Sequence, residues 1–113
     1  MGDCLFCRIG KKEISSKMVY EDEFLFAIRD INPQAPVHLL IIPKKHIAQI
    51  NDLAEADSKL AGNLILLAKR LAVQEKIEEG FRLVFNNGSN AGQSVFHVHL
   101  HLMGGRKMTW PPG

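Results

Sequence analysis

The chain has no apolar run long enough to span a bilayer and no segment laid out like a secretory signal, so neither membrane insertion nor export is expected. Charge of one sign is also scarce. Fourteen basic residues against twelve acidic ones leave a net charge of +2, and no basic stripe of the kind a nucleic-acid surface needs is present. Lys11-Lys12 and Lys44-Lys45 are short pairs of the sort found on solvated surfaces. Cysteine occurs twice, at Cys4 and Cys7, too few for the disulfide framework of a small secreted domain, so a reducing, cytoplasmic setting is expected. Gly2 invites a thought of N-myristoylation, but Phe6 stands where that motif has Ser or Thr. Repeats, linkers and low-complexity segments are missing as well. At 113 residues the chain is one domain, residues 1–113, with its core over about 4–106 and a tail over 107–113.

Hydrophobic patterning supplies the elements. Cys4–Ile9 reads as a short helical turn stopped by Gly10, and Lys17–Tyr20 and Phe24–Arg29 read as strands joined at Glu21-Asp22-Glu23. Asp30–Pro36 is a loop punctuated by two prolines. His38–Ile42 is nearly continuous apolar sequence stopped by Pro43, the pattern of a central strand buried on both faces. A long helix follows. Asp52 is expected to cap it, with Glu55 at capping-box spacing, and Leu53, Leu60, Leu64, Leu67 and Leu71 form its buried stripe before Gly80 ends the segment. Phe81–Phe85 is another strand, and Asn86–Gly92 a loop rich in asparagine and glycine. The sum is an α+β domain: a five-stranded, mainly antiparallel sheet with one long helix and a short N-terminal helix.

The chemistry concentrates in Phe96-His97-Val98-His99-Leu100-His101-Leu102-Met103. On a strand, alternation places His97, His99 and His101 on one face and the apolar residues on the other. A solvent-facing strand would more naturally carry Thr, Lys or Glu, so imidazole is expected to act here as nucleophile, base or metal ligand. His38, entering an otherwise apolar strand, is either a hydrogen-bonded core residue or a member of the same site. Just before the triad, Gly92-Gln93-Ser94 offers backbone and side-chain donors suited to an anion, although a plain turn would use the same residues. Cys4-x-x-Cys7 has chelating spacing, and His46 and His97 would complete four ligands; two buried thiols are the alternative.

These residues resemble a known family. Gly92–Met103 is similar to the signature of the histidine-triad (HIT) superfamily, and the likeness extends through Asp30–His38 and Ile42–Ile47. Gly104-Gly105-Arg106 and Trp110-Pro111-Pro112-Gly113 look like the Hint branch, the purine nucleoside phosphoramidases. The resemblance implies a homodimer whose sheets join into one, and a site for purine nucleotides such as AMP and GMP. It implies His99 as nucleophile towards a nucleoside 5′-phosphoramidate, through a nucleotidyl-histidine intermediate. His101 and Gly92-Gln93-Ser94 would hold phosphate oxygens, with His97 and His38 in support. Asp30 would accept from the ribose, Ile31 would lie against the base and Asn86 near the phosphate, and Trp110 would reach the partner subunit's site. The same resemblance favours a structural zinc on Cys4, Cys7, His46 and His97. A dinucleoside polyphosphate hydrolase, or a nucleotide-binding module with vestigial catalysis, are the alternative functions.

Overall fold

Alternation along three neighbouring strands builds two hydrophobic cores, one on each side of a single sheet. The computed structural model describes residues 4–113; Met1, Gly2 and Asp3, and with them the reading of Gly2, lie outside the described residues. In chain order the elements are α1 (Leu5–Gly10), β1 (Met18–Glu21), β2 (Leu25–Arg29), β3 (Val37–Pro43), α2 (Ser58–Gln74), β4 (Phe81–Val84) and β5 (Leu100–Gly104). The strands lie in the order β1-β2-β3-β5-β4, every neighbouring pair antiparallel. The apolar run is therefore the middle strand, β3, as its composition demands.

Odd and even residues of β3 part company. Leu39 and Ile41 join Leu25, Ala27, Leu100 and Leu102 beneath α2, which contributes Leu64, Leu67, Ala68, Leu71 and Ala72. Leu40 and Ile42 face the other way, with Phe26 and Ile28, and are covered by Phe6 and Ile9 of α1. Residues two apart share a face, so His38 belongs with Leu40 and Ile42 on the α1 side. Its neighbour across the sheet is Met103, and Leu40 faces His101. Two imidazoles from two strands are thus delivered to one side of the sheet.

The triad does not lie on one continuous strand. β5 begins at Leu100, leaving His97 and His99 on the irregular segment before it. The ladder stops because its hydrogen-bonding groups are claimed elsewhere. Pro43 has no N–H to give, and its carbonyl accepts from the His97 ring at 2.7 Å, while the His97 carbonyl faces the His99 ring. The Val98 N–H donates instead to the carbonyl of Ile47 at 2.7 Å. The in-and-out alternation nevertheless survives: Val98 is buried in the α2 core, while Phe6 of α1 touches both His97 and His99.

The long helix also starts later than its leucine pattern suggests. Asp52 lies in a 3₁₀ turn, Ile50–Asp52, and Leu53 and Ala54 are extended. Asp57 serves the helix start instead: its carboxylate accepts the Ala54 N–H at 2.9 Å and the Lys45 ammonium at 2.7 Å. At the other end α2 stops at Gln74, ahead of Gly80 where the segment was expected to end, and Lys76 takes a left-handed turn (φ 62°).

Candidate functional site

Cys4 caps α1, accepting the Cys7 N–H on its sulfur at 3.4 Å, so the first turn of the helix turns both thiols the same way. They meet His46, from the loop after β3, and His97. Cys4 Sγ lies 3.3 Å and Cys7 Sγ 3.6 Å from His97 Nδ1; Cys7 Sγ is 3.3 Å from His46 Nδ1, and the two Nδ1 atoms are 3.2 Å apart. Zinc–sulfur and zinc–nitrogen bonds of about 2.3 and 2.05 Å at tetrahedral angles require edges of roughly 3.6 Å for S···N and 3.3 Å for N···N. The four edges above meet that requirement to within about 0.3 Å, and all four donors lie within 4.8 Å of one another. The proton of His97 is in the right place too. A carbonyl only accepts, so the Pro43 oxygen fixes the hydrogen of His97 on Nε2 and leaves Nδ1 bare towards the cluster. Burial, reinforced by the neighbouring Cys4, pushes the Cys7 thiol above its ordinary pKa, and burial lowers that of His97. A cation at the centre would counter the first effect and suits the second.

On the near side of His97 lies a cavity of about 970 Å³. Its walls include Leu5, Phe6 and Ile9 of α1, Ile28 and Arg29 of β2, Asp30 and Ile31 of the following loop, Ser94 and three histidines, His38, His99 and His101. Backbone groups decide the protonation of His38 and His99, and His38 that of His101. The Gln34 N–H donates to His38 Nδ1 at 3.0 Å, so neutral His38 carries its proton on Nε2. That Nε2 lies 2.9 Å from His101 Nδ1, which must accept, placing the His101 proton on its own Nε2. Asp30 Oδ2, 3.4 Å from His38 Nε2, supports the same arrangement. His99 is set the opposite way: its Nδ1 lies 2.7 Å from the His97 carbonyl and must donate. The nitrogen left to His99 in the cavity is a lone pair, beside a donating Nε2–H of His101, the two rings 5.0 Å apart.

These assignments need neutral rings, and the surroundings supply them. Burial lowers the pKa of His38, His99 and His101 alike. His101, pressed further by His99 and His38, falls to about 4. An unprotonated imidazole nitrogen next to a hydrogen-bond donor, in a cavity with an apolar wall and a carboxylate at its rim, can attack an electrophilic centre that carries oxygens.

The structure thus brings together His38, His99, His101, Asp30, Ile31 and Ser94 around the cavity, and Cys4, Cys7, His46 and His97 behind it. Ile31 is 98% exposed, an apolar side chain standing free at the rim. Asn86, Gly92, Gln93 and Trp110 do not line the cavity of the single chain, and Trp110 is 83% exposed on the tail. The buried Gln93 has its amide committed to the loop. Its Oε1 accepts the Gly88 N–H at 2.8 Å, and its Nε2 donates to the carbonyls of Ala48 and Val95 at 2.7 and 3.1 Å. Three participants escaped the sequence reading: Gln34, Pro43 and Phe6. The first two act through backbone atoms that carry no sequence signal. Phe6 had one, its position inside Cys4-x-x-Cys7.

A family model described as "HIT domain" matches residues 11–108. Among solved structures, a HIT family hydrolase from Legionella pneumophila superposes with a TM-score of 0.97 at 59% identity, covering 98% of this chain and all of that one. A histidine triad nucleotide-binding protein from Candida albicans superposes with a TM-score of 0.83 at 32% identity, covering 98% and 85%. Among curated proteins, a 14 kDa zinc-binding protein of Zea mays is 52% identical over 112 residues, 96% of this chain and 87% of the relative.

Proposed function

The chain belongs to the HIT-domain family, and from that premise we propose that it is a nucleotide-binding hydrolase, specifically a purine nucleoside phosphoramidase. The observation that carries the proposal is the pair of opposed tautomers: His99, donating through Nδ1 to the His97 carbonyl, keeps a lone pair for the cavity, and His101 offers a proton beside it. In the first step His99 Nε2 attacks the α-phosphorus of an adenosine or guanosine 5′-phosphoramidate. A P–N bond to imidazole forms as the P–N bond to the amine breaks, and the amine leaves with one proton taken from solvent. In the second step water attacks the nucleotidyl-histidine, gives up one proton to solvent and releases AMP or GMP, returning His99 to its starting tautomer. His101 Nε2–H and Ser94 bind the non-bridging oxygens as charge develops there. Asp30 accepts from the ribose hydroxyls and Ile31 covers the base. The Gly104-Gly105 pair and the Trp110–Gly113 tail support the phosphoramidase over a dinucleoside polyphosphate hydrolase.

Cys4, Cys7, His46 and His97 hold a structural zinc. All four positions being protein donors, the ion serves as a crosslink and has no place for substrate. The functional unit is a homodimer. β4 is one of the sheet's two edge strands, and α2 carries exposed Ile65, Leu66 and Val73, surfaces suited to pairing two sheets into one and bringing Trp110 to the neighbouring cavity. Two free thiols suit a reducing cytoplasm.

Steady-state hydrolysis of adenosine 5′-phosphoramidate and of diadenosine triphosphate, by wild type and His99→Ala, tests the reading. The phosphoramidate is expected to be the better substrate, with turnover falling on the order of 10⁴-fold or more in the variant while AMP still binds. Preference for the triphosphate would move the protein to the polyphosphate hydrolases. Binding of AMP with turnover of neither substrate would leave a nucleotide-binding module.

A further inference from the structure

The metal cluster and the cavity share one short helix. Cys4 and Cys7 face the cluster, while Leu5, Phe6 and Ile9, interleaved with them on α1, form part of the cavity wall. Phe6 is the closest link between the two. It is buried, and its ring meets that of His97 edge to face at 5.9 Å and that of His99 at 5.0 Å, both with interplanar angles of 78°. His97 supplies a second link: its Nδ1 faces the thiols, and its carbonyl holds the His99 Nδ1–H. A displacement of Cys4 and Cys7 therefore moves the wall of the cavity and the support of its most reactive ring together. Against that stands only modest anchoring. α1 has six residues, too few to be stable alone, and rests on the sheet through Phe6 and Ile9.

We propose that metal occupancy of Cys4, Cys7, His46 and His97 regulates nucleotide binding in the cavity, with Phe6 as the positioning residue that transmits it. The proposal rests on the zinc and nucleotide readings above and goes beyond them by coupling the two sites. Occupied, the cluster pins α1 and presses Phe6 against His99. Emptied, it frees α1 to lift from the sheet while the α2 core holds the rest of the fold. Coupling of this kind is reciprocal: a nucleotide that binds more tightly to the metal-loaded form must tighten metal binding by the same factor.

The test compares the zinc-loaded protein with the same protein after chelation and buffer exchange. It combines elemental analysis, circular dichroism, calorimetric titration with AMP, and hydrogen exchange over residues 5–10. Removal of zinc is expected to weaken AMP binding about tenfold and to speed exchange in α1 with the sheet signal intact. AMP in turn should raise the apparent zinc affinity against a competing chelator by the same factor. In Phe6→Leu, which keeps apolar bulk but loses the ring edge, the effect of zinc on AMP affinity should shrink to about twofold or less. Equal AMP affinities with and without zinc, or an undiminished zinc effect in Phe6→Leu, would overturn the proposal. So would global unfolding of the metal-free protein, since the metal would then be a general staple. Failure of the underlying readings shows separately: protein that takes up less than one equivalent of zinc in the first measurement, or loaded protein that binds no AMP in the third.

Discussion

Acid should destabilise this protein through His101. In the unfolded chain the ring takes a proton near its ordinary value of 6.5; in the fold, burial and the neighbouring His99 and His38 hold it neutral down to about 4. Between those values the unfolded state binds the extra proton, so folding stability declines as the pH falls through the interval and levels off below it. The gap from 6.5 to about 4, at ~1.4 kcal/mol per pH unit, sets a ceiling of about 3.5 kcal/mol. Partial exposure of the ring admits screening, which brings the expected loss to about 2 kcal/mol. Urea denaturation at constant ionic strength from pH 7 to 4, on wild type and His101→Asn in the same metal state, isolates the effect, because losses from the other histidines are largely common to both. Wild type should lose about 2 kcal/mol more than the variant, and the His101 ring resonances should titrate near pH 4. Parallel stability profiles, or a His101 midpoint at about pH 6, would refute the reasoning, since burial and the two neighbouring rings would then not hold His101 neutral down to about pH 4.

Two further perturbations probe the scaffold. Gly104→Ala would set a Cβ 2.6 Å from Ile77 Cδ1 and 3.3 Å from the Gly80 carbonyl at the end of β5. The crowding should cost about 1–3 kcal/mol in chemical denaturation, and an unchanged midpoint would show that the end of the strand yields easily. Gln93→Ala removes three hydrogen bonds and strands the Gly88 N–H and the Ala48 carbonyl. A loss of about 2 kcal/mol is expected, with faster hydrogen exchange at Gly88, and wild-type stability would show that water replaces the amide without penalty.

The arrangement of strands and helices was legible because it rests on periodicity and punctuation. The run from His38 to Ile42 announced a strand buried on both sides, and the leucines at helical spacing announced the one long helix. Ends of elements were less legible. Whether Asp52 or Asp57 serves the helix start depends on Lys45 and on the extended path of Leu53 and Ala54, neither of which a local pattern contains. The start of the last strand was misplaced for a similar reason. Alternating histidines look like strand wherever they occur, but Pro43 and two imidazole rings had taken over the hydrogen bonds that would have continued it.

Sequence by itself determined which residue types the protein brings to its chemistry: three alternating imidazoles, a fourth on the central strand, and two thiols at chelating distance. Local spacing and apolar alternation suffice for that, since both are properties of the covalent chain. Tertiary structure alone decided what each imidazole is. His97 turns Nδ1 to the thiols, His99 keeps a lone pair and His101 keeps a proton, although the three share one alternating motif. The physical reason is that an imidazole's proton goes where its partner dictates, and the partners are the backbone groups of Pro43 and His97 and, for His101, the His38 ring held by the Gln34 N–H, which only folding brings within reach.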